Sequence, residues 1–273
     1  MTLLTPIVRA FRSELLKCRR WSMFAGTGIM LVPSAFFAYL TFHQITSGAT
    51  GSELTPLAQA FPTELGLITV VGQARSFIIV VSLIMVTVNL AAEWSQGTWH
   101  NLLVREPRRL PLLVGKMLAL LLFVLCSMTL TLVASSVLVL VTAGAQGVQT
   151  AAWASSAGLS AWLAFFSNEV LCLIGICLLG MLIAVLTRGT AIAVGAALAY
   201  VLVPEGIIAM VWSEGSRWFP IRTFNFLPGS VFPTDVGPTP PQGYAAALLV
   251  AALWMTVFVV GSFVAFRRQD INA

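Results

Sequence analysis

The stretch "SFIIVVSLIMVTVNLAA" (Ser76–Ala92) runs straight into "EWSQGTWHNLLVREPRRLPLLVGK" (Glu93–Lys116), and that into "MLALLLFVLCSMTLTLVASSVLVLVTAGA" (Met117–Ala145). The middle segment holds six of the chain's 15 basic and 10 acidic residues, and neither flank holds any. An α-helix needs about 20 apolar residues to cross a bilayer core about 30 Å thick, and each flank is of that order. The apolar runs are continuous rather than alternating, which is the pattern of membrane helices and not of barrel strands. The charged segment is then a loop between two spans.

Working outward, the whole chain has this character. It is 58% hydrophobic and 9% charged, against about 25% charged in a soluble domain. Six candidate spans follow: about 22–42, 76–92, 117–143, 170–187, 190–211 and 243–266. No long polar segment remains outside them. The expectation is an all-α integral membrane protein with six transmembrane helices, forming a single transmembrane domain over residues 1–273. The first apolar run follows a basic stretch but continues for about 21 residues without a small-x-small cleavage site, so it reads as a retained span. No internal repeat divides the chain into two inverted halves, so the layout of many secondary transporters gets no support.

Orientation follows from Lys and Arg near the span ends. With the N-terminus in the cytoplasm, Arg9, Arg12, Lys17, Arg19, Arg20, Arg105, Arg108, Arg109, Lys116, Arg188, Arg267 and Arg268 face inward. Only Arg75, Arg217 and Arg222 face outward. Both termini are therefore expected in the cytoplasm, which needs an even number of spans. The net charge of +5 is accounted for by topology and does not call for nucleic acid.

Several local features refine this picture. Leu4, Ile7, Val8, Phe11 and Leu15 share one helical face, with Arg9, Arg12 and Lys17 elsewhere, so residues 3–20 read as a basic amphipathic helix on the inner leaflet. Arg75 precedes only 17 apolar residues; either it snorkels to the outer surface, or the stretch from Leu65 to Val71 dips in beside it. Trp153 and Trp162 suggest a short helix lying along the outer surface before span 4, with Glu169 at the outer mouth. Pro204 favours a kink or an end in the fifth apolar run. The sequence leaves the structure of 212–242 open.

Enzyme chemistry finds little support. There is no GxxxxGK[ST] loop, no HExxH and no GxSxG. His43 and His100 are expected on opposite sides of the membrane. Cys18, Cys126, Cys172 and Cys177 form no CxxC pair and read as apolar packing. No catalytic, cofactor or metal residues are expected in this chain.

Within the charged loop, "WHNLLVRE" reads as a short helix that ends at Glu106, because Pro107 disfavours helix in the residue before it. Trp99, Leu102, Leu103 and Glu106 lie on one side. Arg105, Arg108 and Arg109 cluster at its end, where they suit either a protein partner or lipid phosphates. Glu93, Gly97-Thr98, Leu102-Leu103, Pro107, Arg109 and Gly115-Lys116 form the pattern E-x3-GT-x3-LL-x3-P-x-R-x5-GK. It resembles the loop after the second span in permeases of the type-2 ATP-binding-cassette (ABC) exporter family. The N-terminal "RSELLKCRR" (Arg12–Arg20) and the terminal "FRRQDI" (Phe266–Ile271) resemble that family's opening and its last-span exit. The likeness covers the chain in length and topology, and is strong at the residue level only in the loop.

The resemblance implies a permease subunit that carries no ATPase and binds no cofactor, with ATP and magnesium on a separate cytosolic subunit. Two such ATPase subunits would assemble with two permease chains, identical or homologous, in a bacterial plasma membrane. The loop would be the coupling helix, with Trp94, Gly97, Thr98, Trp99, Asn101, Leu102, Leu103, Arg105 and Glu106 meeting the ATPase. Glu93 would anchor the base of span 2 through a basic partner such as an N-terminal arginine or lysine, and Lys116 would mark the start of span 3. Gly97 would let the chain turn. Alternating access would open a path between the permease chains along spans 2 and 5, where Ser82, Thr87, Asn89, Gly195, Tyr200 and Glu205 are candidates that helix packing explains equally well. An apolar chamber suits amphiphilic drugs, peptide antibiotics or lipids. The competing expectation is a six-span channel or secondary carrier without an ATPase, which would need charges inside the membrane.

Overall fold

Apolar runs this long satisfy their backbone groups internally as helix, and among the residues that the computed structural model describes (4–48, 54–98, 109–232 and 243–268) every regular element is helical. In chain order these are α1 (Leu4–Lys17), α2 (Trp21–Thr46), α3 (Leu54–Ala60), α4 (Gly66–Gly72), α5 (Arg75–Ser95) and α6 (Arg109–Ala145). Then come α7 (Ser156–Thr187), α8 (Thr190–Leu202), α9 (Pro204–Val211), α10 (Ser213–Ser216), α11 (Pro220–Gly229) and α12 (Tyr244–Arg268). Among the described residues, six stretches are long and apolar enough to cross a membrane: α2, α5, α6, α7, α8 with α9, and α12. With these spans the chain is a multi-pass membrane protein, all helical among the described residues.

The span ends differ from the sequence expectation in two places. Helix α6 already begins at Arg109, with Pro111 tolerated in its first turn, where no intrahelical N–H bond is lost. Helix α7 begins at Ser156, so the surface helix expected before span 4 is instead the first part of one continuous helix. Ser155 caps it by accepting the Gly158 N–H at 3.0 Å. Trp162 stacks on Phe166 with ring centroids 5.4 Å apart and donates to Ser136 of α6 at 3.2 Å. The Trp162 hydrogen bond ties the start of α7 to α6. The fifth span is interrupted at Val203, immediately before Pro204, as the missing N–H of proline dictates.

Helices α5 and α7 are the most enclosed of the spans. Helix α5 packs against α2, α7 and α8, and α7 against α11 and α12 as well. Residues Gly66–Gly72 form α4, tucked against α2 and α6. Helix α11 folds back between α7 and α12 and buries Ile221, Phe224 and Leu227. Trp94, at the end of α5, meets Phe266, near the end of α12, edge-on at 5.9 Å. Helix α1 docks beside them on α6. Both terminal helices therefore reach the same end of the bundle.

Candidate functional site

The charged loop hangs from α5 at residues 93–95, and each of these three consecutive residues is tied to a different neighbour. Glu93 is nearly buried, and its Oε1 accepts from Lys17 of α1 at 3.0 Å and from Lys116 of α6. Trp94 meets Phe266 of α12. The Ser95 hydroxyl accepts the Thr190 backbone N–H at 3.3 Å and lies 3.0 Å from the Thr190 hydroxyl, so it caps the start of α8. One short turn of α5 thus joins four other helices.

The charges form a closed cluster. Glu14 of α1 pairs with Lys17 at 2.6 Å and with Lys116 at 2.9 Å, while Glu93 pairs with the same two lysines. Lys116 is almost wholly buried. A buried ion of this kind costs several kcal/mol to desolvate and persists only when well paired. Burial works against the Lys17 ammonium, but the hydrogen bond to Glu14 and the Glu93 and Glu14 charges outweigh it and raise its pKa above the ordinary 10.5. Burial, helped by the Glu14 charge, pushes the Cys18 thiol up.

Two glycines make the geometry possible. A Cβ on Gly115 would lie 2.6 Å from the Ala10 Cβ, 2.8 Å from the Ile7 carbonyl oxygen and 2.9 Å from the Phe11 nitrogen. Only a glycine lets α1 lie this close to α6, and that contact brings Glu14 to Lys116. Gly97 stands at φ +64°, in the left-handed region, and ends α5 with its N–H donating to the Trp94 carbonyl at 3.1 Å. Beside the cluster is a cavity of about 80 Å3, lined in part by Lys17, Arg20, Asn89, Glu93, Gln96 and Thr98. Of the expected coupling residues, Trp94, Gly97 and Thr98 are at this root. Trp99, Asn101, Leu102, Leu103, Arg105 and Glu106 lie outside the described residues, as does Arg108.

Five of the six candidate path residues have defined neighbours within the chain. Ser82 is buried and donates to the Met30 Sδ of α2 at 3.5 Å. Thr87 is buried against Gly180 of α7. Asn89 donates to the Met85 carbonyl at 2.7 Å and to the Met23 Sδ at 3.1 Å, and borders the cavity. Tyr200 lies near the Glu205 carboxylate. The Glu205 carboxylate accepts the Ile221 and Arg222 backbone N–H groups at 3.0 and 2.8 Å. Glu205 therefore caps α11, where a negative charge meets the unpaired N–H groups and the positive end of the helix dipole.

A second polar cluster lies at the other end of α5. Arg75 donates to Glu169 of α7 at 2.7 Å and to Asn225 of α11 at 3.3 Å. Glu169 is fully buried. Sequence reasoning placed Arg75 and Glu169 separately and missed their pairing, and it read Glu14 only as part of the N-terminal stretch that resembles the family's opening. The E-x2-K spacing of Glu14 and Lys17 was the available signal, since it puts both on one helical face.

Residues 31–272 match a protein family described as "Protein of unknown function (DUF2705)". No curated protein matches the chain. The matched range takes in Glu93, Gly115 and Lys116 and begins after α1.

Proposed function

The chain belongs to the DUF2705 family, and from its own residues we propose that it is the membrane-spanning permease subunit of an ABC transporter. In this reading both termini and the 93–116 loop are cytoplasmic. Two permease chains assemble with two copies of a separate ATPase subunit, which bind the ATP and magnesium. The cargo is an amphiphilic drug, peptide antibiotic or lipid, and transport is export across a bacterial plasma membrane. The chain itself catalyses no reaction.

The observation that carries this reading is the root at Glu93, Trp94 and Ser95. A loop that receives a push from a soluble motor needs rigid connections to the helices it must move. Here one turn of α5 is tied to α1, α6, α8 and α12. A displacement of residues 96–108 would load all four helices together, whereas an ordinary connecting loop needs no such joints. The resemblance of the loop supplies the identity of the motor.

The test is affinity purification of the full chain from its native host, with ATPase activity measured in liposomes. A separate ATPase with a Walker-type phosphate loop should co-purify. Deletion of "HNLL" (100–103) combined with Arg105→Glu should abolish coupled hydrolysis while the chain still inserts. Normal export by that variant would end the proposal. The competing carrier reading draws on the buried Arg75–Glu169 pair, and transport driven by a proton gradient without any ATPase would favour it.

A further inference from the structure

Arg75, at the start of α5, divides one edge of its guanidinium between two helices. Its Nε donates to the Glu169 Oε2 of α7 at 2.7 Å, and its Nη2 donates to the Asn225 Oδ1 of α11 at 3.3 Å. Nη2 also lies 3.9 Å from the Cys172 Sγ, a weak acceptor. Two parallel N–H groups on one edge of a guanidinium match the two oxygens of a carboxylate, so Nε and Nη2 could both serve Glu169. Instead the Glu169 Oε1 is buried and has no hydrogen-bond partner among the described residues. Such an acceptor costs free energy until a donor meets it. It is closed to molecules from outside, so the donor has to come from the cluster itself. Nη2 is suited to this, because it shares an edge with the nitrogen that already holds Oε2. The last torsion of a glutamate is soft, so a turn of the carboxylate is enough to bring Oε1 toward Nη2.

The helix at the other end of the split fork is held by few contacts. Helix α11 takes its N-terminal cap from Glu205 and lays Phe224 on Gly175 of α7, where a Cβ would fall 2.4 Å from the ring. Beyond its end, Phe232 covers Gly72 of α4 and meets Phe165 of α7 edge-on at 5.6 Å. The bond from Arg75 differs from these contacts in having a second place to go. Asn225 is only half-buried, so its amide can turn to water when Arg75 leaves. Helix α5 has no Gly or Pro between Arg75 and Ser95. A shift at Glu93 therefore reaches Arg75, about 27 Å away, as movement of a straight rod.

We propose that Arg75 is a two-position catch on α11. In this conformation its fork is shared between Glu169 and Asn225, and α11 is held down between α7 and α12. In the other position Nε and Nη2 both donate to Glu169, the buried Oε1 gains its donor, and the Asn225 side of α11 lifts from the bundle. The bond gained offsets the bond lost, which keeps the two positions close in free energy. The catch needs no ATPase partner, so it stands or falls separately from the transporter reading; that reading bears only on what moves α5.

The test uses the purified full chain in nanodiscs, with amide hydrogen exchange over 220–229 and the thermal midpoint read together. Asn225→Ala removes one position of the catch and leaves the other. Exchange over 220–229 should quicken roughly tenfold, as loss of a hydrogen bond to a charged group implies. The midpoint should stay at the parent's value, because Nη2 passes to the Glu169 Oε1. Arg75→Lys keeps the charge beside Glu169 but has no fork to share. Its exchange over 220–229 should match that of Asn225→Ala, and combining the two should change nothing further. A midpoint that falls with Asn225→Ala means that Nη2 is left stranded without a second position, and overturns the proposal. So does unchanged exchange over 220–229 in Asn225→Ala, or effects of Arg75→Lys and Asn225→Ala on that segment that simply add.

Discussion

Lys17 donates to the Glu93 carboxylate at 3.0 Å across 76 positions of sequence. That bond joins a helix outside the spans to the last turn of the second span. Lys17 and Lys116 approach the same oxygen from α1 and α6, so the three elements share one electrostatic joint. The Lys116→Met variant should show how much the joint contributes. It leaves Glu14 and Glu93 with only Lys17 between them. Removing one partner of a buried pair typically costs about 3–5 kcal/mol. The thermal midpoint in nanodiscs should fall clearly, and Lys116→Met with Glu93→Gln should recover part of the loss. A single variant as stable as the parent would show that the cluster carries no net stabilisation.

Gly115 tests whether the joint depends on close docking of α1. Gly115→Ala places a methyl against the Ile7 carbonyl oxygen and the Phe11 nitrogen, which are backbone atoms and cannot rotate away. Overpacking of this kind costs about 1–3 kcal/mol. Helix α1 should become more sensitive to limited proteolysis. Ala10→Gly should rescue only partly, because it removes one of the three close contacts. Unchanged protease resistance would place α1 elsewhere.

The Lys17 pKa gives a pH test with a fixed sign. Its folded value is raised above 10.5 by Glu14 and Glu93 against the opposing effect of burial. A raised folded pKa means that the stabilisation is complete below the unfolded value and is lost as pH rises through the folded one. The stability gap between the parent and Lys17→Gln should therefore hold constant from pH 7 to about pH 9 and narrow only in strong alkali. The readout is the difference in thermal midpoint across that series. A gap that narrows between pH 5 and 8 would assign the effect to another group.

The number of spans was legible because burying a helix in lipid demands length and apolarity, and both are properties of a single segment. The root of the loop was partly legible, since Glu93 and Lys116 are charges at the ends of apolar runs. The pairing of Arg75 with Glu169 was not, because 94 positions separate them and no local rule connects α5 to α7. The expected surface helix was lost for a similar reason: the Trp162 donor found Ser136 of α6 instead of the headgroups. Helix α11 was hidden in a segment rich in Pro and Gly, whose structure the sequence leaves open until the buried Glu205 supplies its missing cap.

Arg75 and Glu169 should behave as an all-or-none pair. Glu169 is fully buried, and Arg75→Met leaves its charge uncompensated. The single variant should lose about 3–5 kcal/mol. Arg75→Met with Glu169→Gln should lose markedly less, since no buried charge remains. Equal losses in the two would point to packing rather than charge, and the measurement is chemical or thermal unfolding of both variants in the same lipid.

Glu205 offers the most local test, because a single atom changes. Its two oxygens accept the first N–H groups of α11 from Ile221 and Arg222. Glu205→Gln keeps the shape but turns an –NH2 toward one of those donors, removing an acceptor and the charge that the helix dipole favours. The loss of such a cap is worth about 0.5–2 kcal/mol. Hydrogen exchange should quicken over 220–229, while the amides of α5 and α7 keep their protection. Exchange that quickens equally along the whole chain would mean that Glu205 supports the bundle, and protection unchanged at 220–229 would remove its capping role.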